Sequence, residues 1–136
     1  MFPPTSKVLV VDDMAQIRDS VRRMLRDLKI SNIIEADNGQ KGWDILIEQY
    51  TKGSPFDLVL SDWNMPLITG IEFLRKVRAD QRIATMPFIL LTSESDKAQV
   101  TDAILAGVSQ YIVKPFTPKS IEEKLKSAWA KHNPAK

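Results

Sequence analysis

The stretch "KVLVVDDMAQ" (residues 7 to 16) decides the fold, because a short apolar run ends in two adjacent carboxylates, Asp12 and Asp13. A strand that is buried on both faces has this continuously apolar character, and the acids mark its carboxyl end. The residues that follow carry apolar side chains at intervals of three and four, from Ile17 to Leu28, which predicts an amphipathic helix. The stretch is therefore typical of one strand and helix unit of an α/β protein.

Four further β-rich runs repeat this plan, and helical patterns separate them. The runs are "NIIEA" (32–36), "FDLVLS" (56–61), "PFILLT" (87–92) and "QYIVK" (110–114). We expect the third helix to begin near Gly70 and the fourth to end at Gly107 in the left-handed conformation. Thr117 and Pro118 are predicted to be the N-cap and first residue of the fifth helix. Five strands alternating with five helices predict a parallel sheet that is covered on both faces.

The composition predicts a single domain that builds its own core, since the chain has 136 residues of which 43% are hydrophobic. The absence of cysteine excludes disulfides and thiolate metal sites. No apolar run approaches the roughly 20 residues of a membrane span, so we expect a soluble, cytoplasmic protein without a membrane partner. The net charge is +2, and arginines alternate with acids in the first helix, which indicates a solvated helix face rather than a nucleic-acid surface; the residues are Arg18, Arg22, Arg23 and Arg26 with Asp19 and Asp27.

Groups that can bind a metal or a phosphate follow four of the five runs. They are Asp12 and Asp13 after the first, Asp62 after the third, Thr92 and Ser93 after the fourth, and Lys114 after the fifth. Parallel strands all end along one edge of the sheet, where ligands bind, so these groups are predicted to converge. Taken singly, an acid or hydroxyl at a strand end often only caps the next helix. Taken together, three carboxylates need a cation, and an all-oxygen set favours Mg²⁺.

The motifs "VLVVDD", "LVLSDWNMP", "ILLTSES" and "YIVKPF" occur in the order found in the receiver domain of two-component response regulators, which the chain resembles over roughly residues 6 to 130. "SDWNMP" and "GVSQYIVKPFT" bring it closest to the stand-alone chemotaxis regulators. The resemblance implies a flavodoxin-like (βα)₅ fold with a five-stranded parallel sheet in the order 2-1-3-4-5. It also implies that residues 1–136 form one receiver domain with no output domain.

The resemblance assigns roles to individual residues. Asp62 is the expected phosphoacceptor, and Asp12, Asp13 and Asp62 are the expected Mg²⁺ ligands, with the backbone carbonyl of Asn64. In this family Thr92 switches by hydrogen-bonding the phosphoryl group, Lys114 pairs with that group, and Tyr111 moves from an exposed to a buried position. A signalling output face, called the output face below, is predicted from residues Lys97, Val100, Tyr111, Lys119 and Lys124.

The predicted function is a phosphorylation-activated signalling switch rather than an enzyme. A histidine kinase would donate the phosphoryl group, and the resemblance points to the flagellar motor switch protein as the target. It leaves room for a phosphatase, and we expect a monomer that binds no nucleic acid. One alternative is a stand-alone receiver that serves a phosphorelay or another output.

A second alternative, from a different class, is a phosphohydrolase that forms an aspartyl-phosphate. Such enzymes carry the pattern D-x-D, whereas Asp62 is followed by Trp63 and then by Asn64, whose amide cannot act as an acid or base. A flavin or dinucleotide carrier is disfavoured because the turn "DDMAQ" is acidic rather than glycine-rich. The chain also departs from the compact chemotaxis regulators in a longer segment before Asp62. The excess is predicted at residues 53–55, away from the site edge.

Overall fold

The computed structural model describes residues 1–93 and 97–133, except for the side chain of Lys97. Strands and helices alternate throughout. The elements are β1 (Lys7–Val11), α1 (Ala15–Asp27), β2 (Asn32–Ala36), α2 (Gly39–Thr51), β3 (Leu58–Asp62), α3 (Gly70–Ala79), β4 (Phe88–Thr92), α4 (Lys97–Leu105), β5 (Gln110–Val113) and α5 (Pro118–His132).

The strands form one parallel sheet in the order β2-β1-β3-β4-β5, which confirms the predicted fold and strand order. The register aligns the strand ends: Val11 of β1 lies beside Ser61 of β3, and Thr92 of β4 lies beside Val113 of β5. The residues that follow these positions therefore come out along the same edge of the sheet, as the sequence predicts.

Alternate residues of each central strand point into two separate hydrophobic cores, so the sheet lies between two helical layers. On one side, Val8 and Val10 of β1 pack with apolar residues of α1 and α5. On the other side, Leu9 and Val11 pack with residues of α2, α3 and α4. The central strands β1, β3 and β4 are buried along their whole length, which explains why their sequences are continuously apolar.

Two helix ends confirm sequence predictions about capping. The Thr117 side chain accepts a hydrogen bond from the backbone N–H of Ser120, and the Ser120 hydroxyl returns one to the Thr117 N–H, with Pro118 in the first turn of α5. Gly107 follows α4 with a φ of 87°, the left-handed conformation expected there. Helix α3 begins at Gly70 after a Thr69 N-cap.

Strand β3 is shorter at its start than predicted, beginning at Leu58 rather than Phe56. The reason is that the side chain of Asp57 replaces a backbone partner in the ladder: its carboxylate accepts from the Lys7 N–H at 2.8 Å. The Asp57 N–H donates to the Lys7 carbonyl at 2.8 Å. Strands β4 and β5 also differ at one end each, since β4 begins at Phe88 and β5 ends at Val113.

The lengthened segment between α2 and β3 lies at the amino edge of the sheet, opposite the aligned carboxyl ends. The buried Lys7 ammonium donates to the Ser54 carbonyl and hydroxyl, both at 2.9 Å, and to Gln49 Oε1. This side chain ties the extra residues to the start of β1. Among the described residues, no helix is both long and apolar enough to cross a membrane.

Candidate functional site

Three carboxylates meet at the carboxyl edge of the sheet, as the sequence predicts. Asp12 follows β1 directly and is completely buried, whereas Asp62 is the last residue of β3 and is 6% exposed. Asp13 is exposed beside them. One carboxylate oxygen from each residue lies within 4.8 Å of the others. We call Asp12, Asp13 and Asp62 the acidic cluster.

Lys114 reaches the acidic cluster from the far end of the sheet. Its backbone N–H donates to the Thr92 carbonyl at 2.7 Å, which extends the pairing of β5 with β4 by one residue. Its ammonium nitrogen lies 2.8 Å from Asp62 Oδ1 and 3.4 Å from Asp12 Oδ2. The pairing of two neighbouring strands therefore fixes a single cation against two of the three acids.

Burial and charge act in opposite directions in this cluster. Burial is the main cause that raises the pKa of Asp12, and the nearby charge of Asp62 raises it further, whereas the hydrogen bond from the Met14 N–H and the Lys114 ammonium oppose the shift. Burial acts to lower the pKa of Lys114, but its hydrogen bond to Asp62 and the two carboxylate charges outweigh this, so its pKa is raised. Lys114 is therefore a permanent cation of the site at neutral pH.

The donor set of the acidic cluster fits Mg²⁺. It consists of carboxylate oxygens, with neither histidine nor cysteine among its members. Magnesium prefers oxygen ligands and commonly takes one or two carboxylates together with waters and a phosphate oxygen. Asp13 and the partly exposed Asp62 give the cluster access to solvent, as a site that exchanges ligands needs.

The segment between β3 and α3 folds back over the end of β3. The Trp63 N–H donates to the Leu91 carbonyl at 2.8 Å, and the Gly70 N–H donates to the Trp63 carbonyl at 2.8 Å. Trp63 is consequently buried and Asn64 is exposed at the edge of the site. This arrangement leaves the Asn64 backbone beside the acidic cluster in sequence, where the resemblance expects a ligand.

The hydroxyl residues at the end of β4 differ in burial. Thr92 is 3% exposed and pairs with Val113 of β5, while Ser93 is exposed. The end of the "ILLTSES" motif, Glu94 and Ser95, lies outside the described residues. Thr92 therefore occupies the same sheet edge as the acidic cluster.

The output face is built around the edge strand β5. The Tyr111 ring is half-buried, and the Lys124 ammonium lies 5.1 Å from its centroid. Val100 of α4 is half-buried and Lys119 in the first turn of α5 is exposed. Lys97 begins α4, but its side chain is outside the described part of the chain.

Sequence reasoning missed one group at the site. It interpreted the arginines of α1 as a solvated face, which is wrong for Arg18, whose side chain is only 18% exposed. Its guanidinium donates to the Asp12 carbonyl at 2.6 Å and to Glu35 Oε1 at 3.1 Å. The one available signal was Glu35 itself, a lone acid within the β-rich run "NIIEA".

Comparison with known proteins agrees with this fold and site. A family model of the response regulator receiver domain matches residues 8–126. The chain therefore belongs to the response regulator receiver family, and the family predicted from the sequence motifs is confirmed.

Individual relatives are more specific. The chain is 43% identical over 119 residues to a chemotaxis protein CheY homolog of Campylobacter jejuni, which covers 88% of each protein. It is 39% identical over 127 residues to chemotaxis protein CheY of Pseudomonas aeruginosa, covering 93% of this chain and 98% of the relative. The solved structure of the chemotaxis response regulator CheY4 of Vibrio cholerae superposes with a TM-score of 0.79 at 30% identity, covering 90% and 98% of the two chains. The protein is thus a CheY-like receiver domain of a two-component signalling system.

Proposed function

We propose that this protein is a phosphorylation-activated switch that accepts a phosphoryl group on Asp62. The observation that carries the proposal is the position of Asp62 between a fixed cation and two further acids, with the Lys114 ammonium 2.8 Å from Asp62 Oδ1. A carboxylate in this setting has a cation ready to offset the charge of an incoming phosphate.

Asp62 is a better nucleophile than its neighbours for geometric reasons. Asp12 is fully buried, and one of its oxygens accepts from the Met14 N–H at 2.9 Å, so it has little freedom to attack. Asp13 is exposed and is outside the reach of Lys114 among the printed ion pairs of the described residues. Asp62 combines partial exposure with direct contact to the cation.

In the proposed transfer, an Asp62 oxygen attacks the phosphorus of a phosphohistidine on the donor. The new oxygen–phosphorus bond forms as the phosphorus–nitrogen bond breaks, and the electron pair of that bond stays on the imidazole nitrogen. Lys114 offsets charge on the phosphoryl oxygens throughout. Asp12 and Asp13, with the Asn64 backbone carbonyl, would hold Mg²⁺, which when bound supplies further positive charge to the same oxygens.

The product adds about 1.5 to 2 negative charges at one side chain. We infer that the Thr92 hydroxyl donates to the new oxygens and that the Tyr111 ring moves inward, which couples the site to the output face. Reversing a two-state equilibrium from mostly inactive to mostly active takes about 5 kcal/mol, which contacts with a doubly charged group can supply. In the inactive packing, the contact of Lys124 with the Tyr111 ring favours the half-buried position.

A phosphohydrolase is the less favoured candidate. Turnover of an aspartyl-phosphate needs a group near the phosphate that takes and gives protons, and the residue two positions after Asp62 is Asn64. The phosphorylated form should therefore persist as a signal. Sustained release of phosphate from many small phosphoesters would contradict this assignment.

The proposed partners follow from the family and its relatives. A histidine kinase would be the donor, and the flagellar motor switch protein would bind the output face, since the relatives named above are chemotaxis proteins. The stand-alone phosphorelay receiver remains the second candidate. We further propose that the whole chain acts as one receiver domain with its core at about residues 6–130.

Phosphorylation can be tested by incubating the protein with a small acyl phosphate and Mg²⁺ and measuring its intact mass. We expect addition of one phosphoryl group to the wild-type protein and none to Asp62→Asn. Asp13→Asn is the matched control, because it removes the same charge from the cluster while leaving the acceptor, and it should still be modified, but more slowly. Equal modification of Asp62→Asn would contradict the proposal.

The output can be tested by titrating the protein with an N-terminal peptide of the flagellar switch protein, with and without Mg²⁺ and beryllofluoride. Tighter binding only with this phosphoryl mimic, lost in Asp62→Asn, is the expected result. If the peptide fails to bind in either state while Asp62 is still phosphorylated, the receiver chemistry stands and the motor target is wrong.

A further inference from the structure

We propose that Arg18 is a positioning residue that holds the Asp12 backbone in place and thereby sets the affinity of the acidic cluster for Mg²⁺. This inference rests on the proposed function, because it concerns the same site. Arg18 does not contact the acidic carboxylates among the described hydrogen bonds and ion pairs; it acts through the backbone that carries two of them.

The turn after β1 is fixed at three points. The Asp12 N–H donates to the Ala36 carbonyl at 3.1 Å, which is the last backbone link to β2. The Met14 N–H donates to Asp12 Oδ1 at 2.9 Å. The third point is the Asp12 carbonyl, which accepts from Arg18 Nη1 at 2.6 Å. Since this carbonyl belongs to the peptide unit that joins Asp12 to Asp13, its orientation determines how the two carboxylates are presented.

Glu35 of β2 holds the guanidinium in the orientation that this contact needs. Its Oε1 accepts from Arg18 Nε at 3.1 Å, and its Oε2 accepts from Arg22 Nη1 at 2.7 Å. A planar guanidinium with donors on two sides can bridge a carbonyl and a carboxylate at once, which an ammonium group cannot do with the same geometry. We call the connection from Asp12 through Arg18 to Glu35 the Arg18 strut.

The charges around the strut are balanced. Arg18 and Arg22 face Glu35, and Arg22 also pairs with Asp19, which in turn pairs with Arg23. The positive charge of Arg18 is thus offset by a carboxylate in direct contact, so it does not act on the acidic cluster as a bare cation. What remains is its mechanical effect on the Asp12 carbonyl.

A simple charge effect predicts the opposite result, which makes the proposal testable by sign. If Arg18 acted only as a nearby positive charge, its removal would strengthen Mg²⁺ binding. If Arg18 positions Asp12 and Asp13, its removal weakens binding, as loss of a residue that orients metal ligands does. Arg18→Lys separates the two effects further, because it keeps the charge but loses the planar bridge.

The test is a Mg²⁺ titration of the protein without phosphodonor, followed by the amide NMR signals of the residues around the acidic cluster. We expect Arg18→Ala and Arg18→Lys to weaken Mg²⁺ affinity by about tenfold, the lower end of the range for residues that orient ligands. Arg23→Ala is the matched control: it removes the same charge from α1, and its side chain is 76% exposed and pairs with Asp19. Its affinity should stay within about twofold of wild type, as expected for an exposed ion pair.

Thermal unfolding without Mg²⁺ shows whether each variant folds. If Arg18→Ala does not fold, Arg18→Lys and Glu35→Gln decide the question, and both should weaken Mg²⁺ binding. Wild-type or tighter affinity in the folded Arg18 variants would overturn the inference while leaving the proposed function intact. Absence of saturable Mg²⁺ binding to the wild-type protein would overturn both the metal site and this inference.

Discussion

Replacing Gly70 by alanine should destabilise the protein because this residue lies against the backbone of the phosphoacceptor strand. A Cβ atom at Gly70 would lie 2.2 Å from the Asp62 carbonyl oxygen and 2.9 Å from both Trp63 Cα and Leu90 Cδ2. Two of these three atoms belong to the backbone, so they cannot move aside as the end of a flexible side chain can. The Gly70 N–H also donates to the Trp63 carbonyl at 2.8 Å, so a shift of α3 would disturb that contact.

The expected magnitude follows from two opposing effects. Gly70 is not among the described glycines with positive φ, so alanine can adopt its conformation, and the reduced entropy of the unfolded chain alone would stabilise the protein by about 0.4–1 kcal/mol. Crowding in a packed region costs about 1–3 kcal/mol, and a 2.2 Å contact with backbone belongs at the upper end of that range. We therefore expect a net loss of about 2 kcal/mol in the free energy of unfolding.

The assay is equilibrium unfolding in urea, with Gly53→Ala as the comparison. A Cβ at Gly53 would meet no atom within 4 Å, but its φ of 78° makes alanine strained, so this variant isolates the conformational cost of about 1 kcal/mol. Gly70→Ala should lose more stability than Gly53→Ala and should also bind Mg²⁺ more weakly, because the displaced carbonyl belongs to Asp62. A Gly70→Ala protein as stable as wild type would refute the reasoning.

Three further predictions concern separate parts of the molecule. Burial, together with the charges of Arg78 and Lys131, lowers the pKa of His132; the unfolded chain therefore binds more protons below about pH 6.5, and the free energy of unfolding should fall as pH falls through that value. This fall should be smaller in His132→Gln, and equal pH profiles of the two proteins would contradict the account. Lys114→Met should tighten Mg²⁺ binding by about tenfold, since it removes a cation that competes for the cluster, and should slow phosphorylation; weaker metal binding in a titration would count against this. Thr117→Ala should lower the free energy of unfolding by about 1 kcal/mol through loss of the α5 N-cap, and an unchanged urea midpoint would argue against the cap's contribution.

The fold could be predicted from local sequence because the signals are strong and repeated. Buried parallel strands require apolar runs, and each run here is followed by a polar break that fixes its end. The positions of Gly107 and of the Thr117 cap were also predictable, since each rests on the conformational preference of one or two residues. The start of β3 was not, because the carboxylate of Asp57 replaces a backbone group in the ladder, and a local pattern does not report such a partner.

The same distinction applies to the site. The convergence of Asp12, Asp62 and Lys114 follows from the parallel topology, so sequence position was enough to predict it. The Arg18 strut depends on a helix residue meeting a neighbouring strand and a turn, and amphipathic periodicity alone assigns such an arginine to solvent. Lys7 is a similar case, since its buried ammonium is satisfied by the lengthened α2–β3 segment, far away in sequence.

The central claim is that Asp62, and neither of the two acids beside it, carries the phosphoryl group. The most direct measurement is to treat the protein with a small acyl phosphate and Mg²⁺, reduce it with borohydride, and map the product by peptide mass spectrometry. Reduction converts a phosphorylated aspartate to homoserine with release of phosphate, which marks the modified position permanently. The account predicts homoserine at position 62 alone. Homoserine at position 12 or 13, or at none of the three, would contradict it.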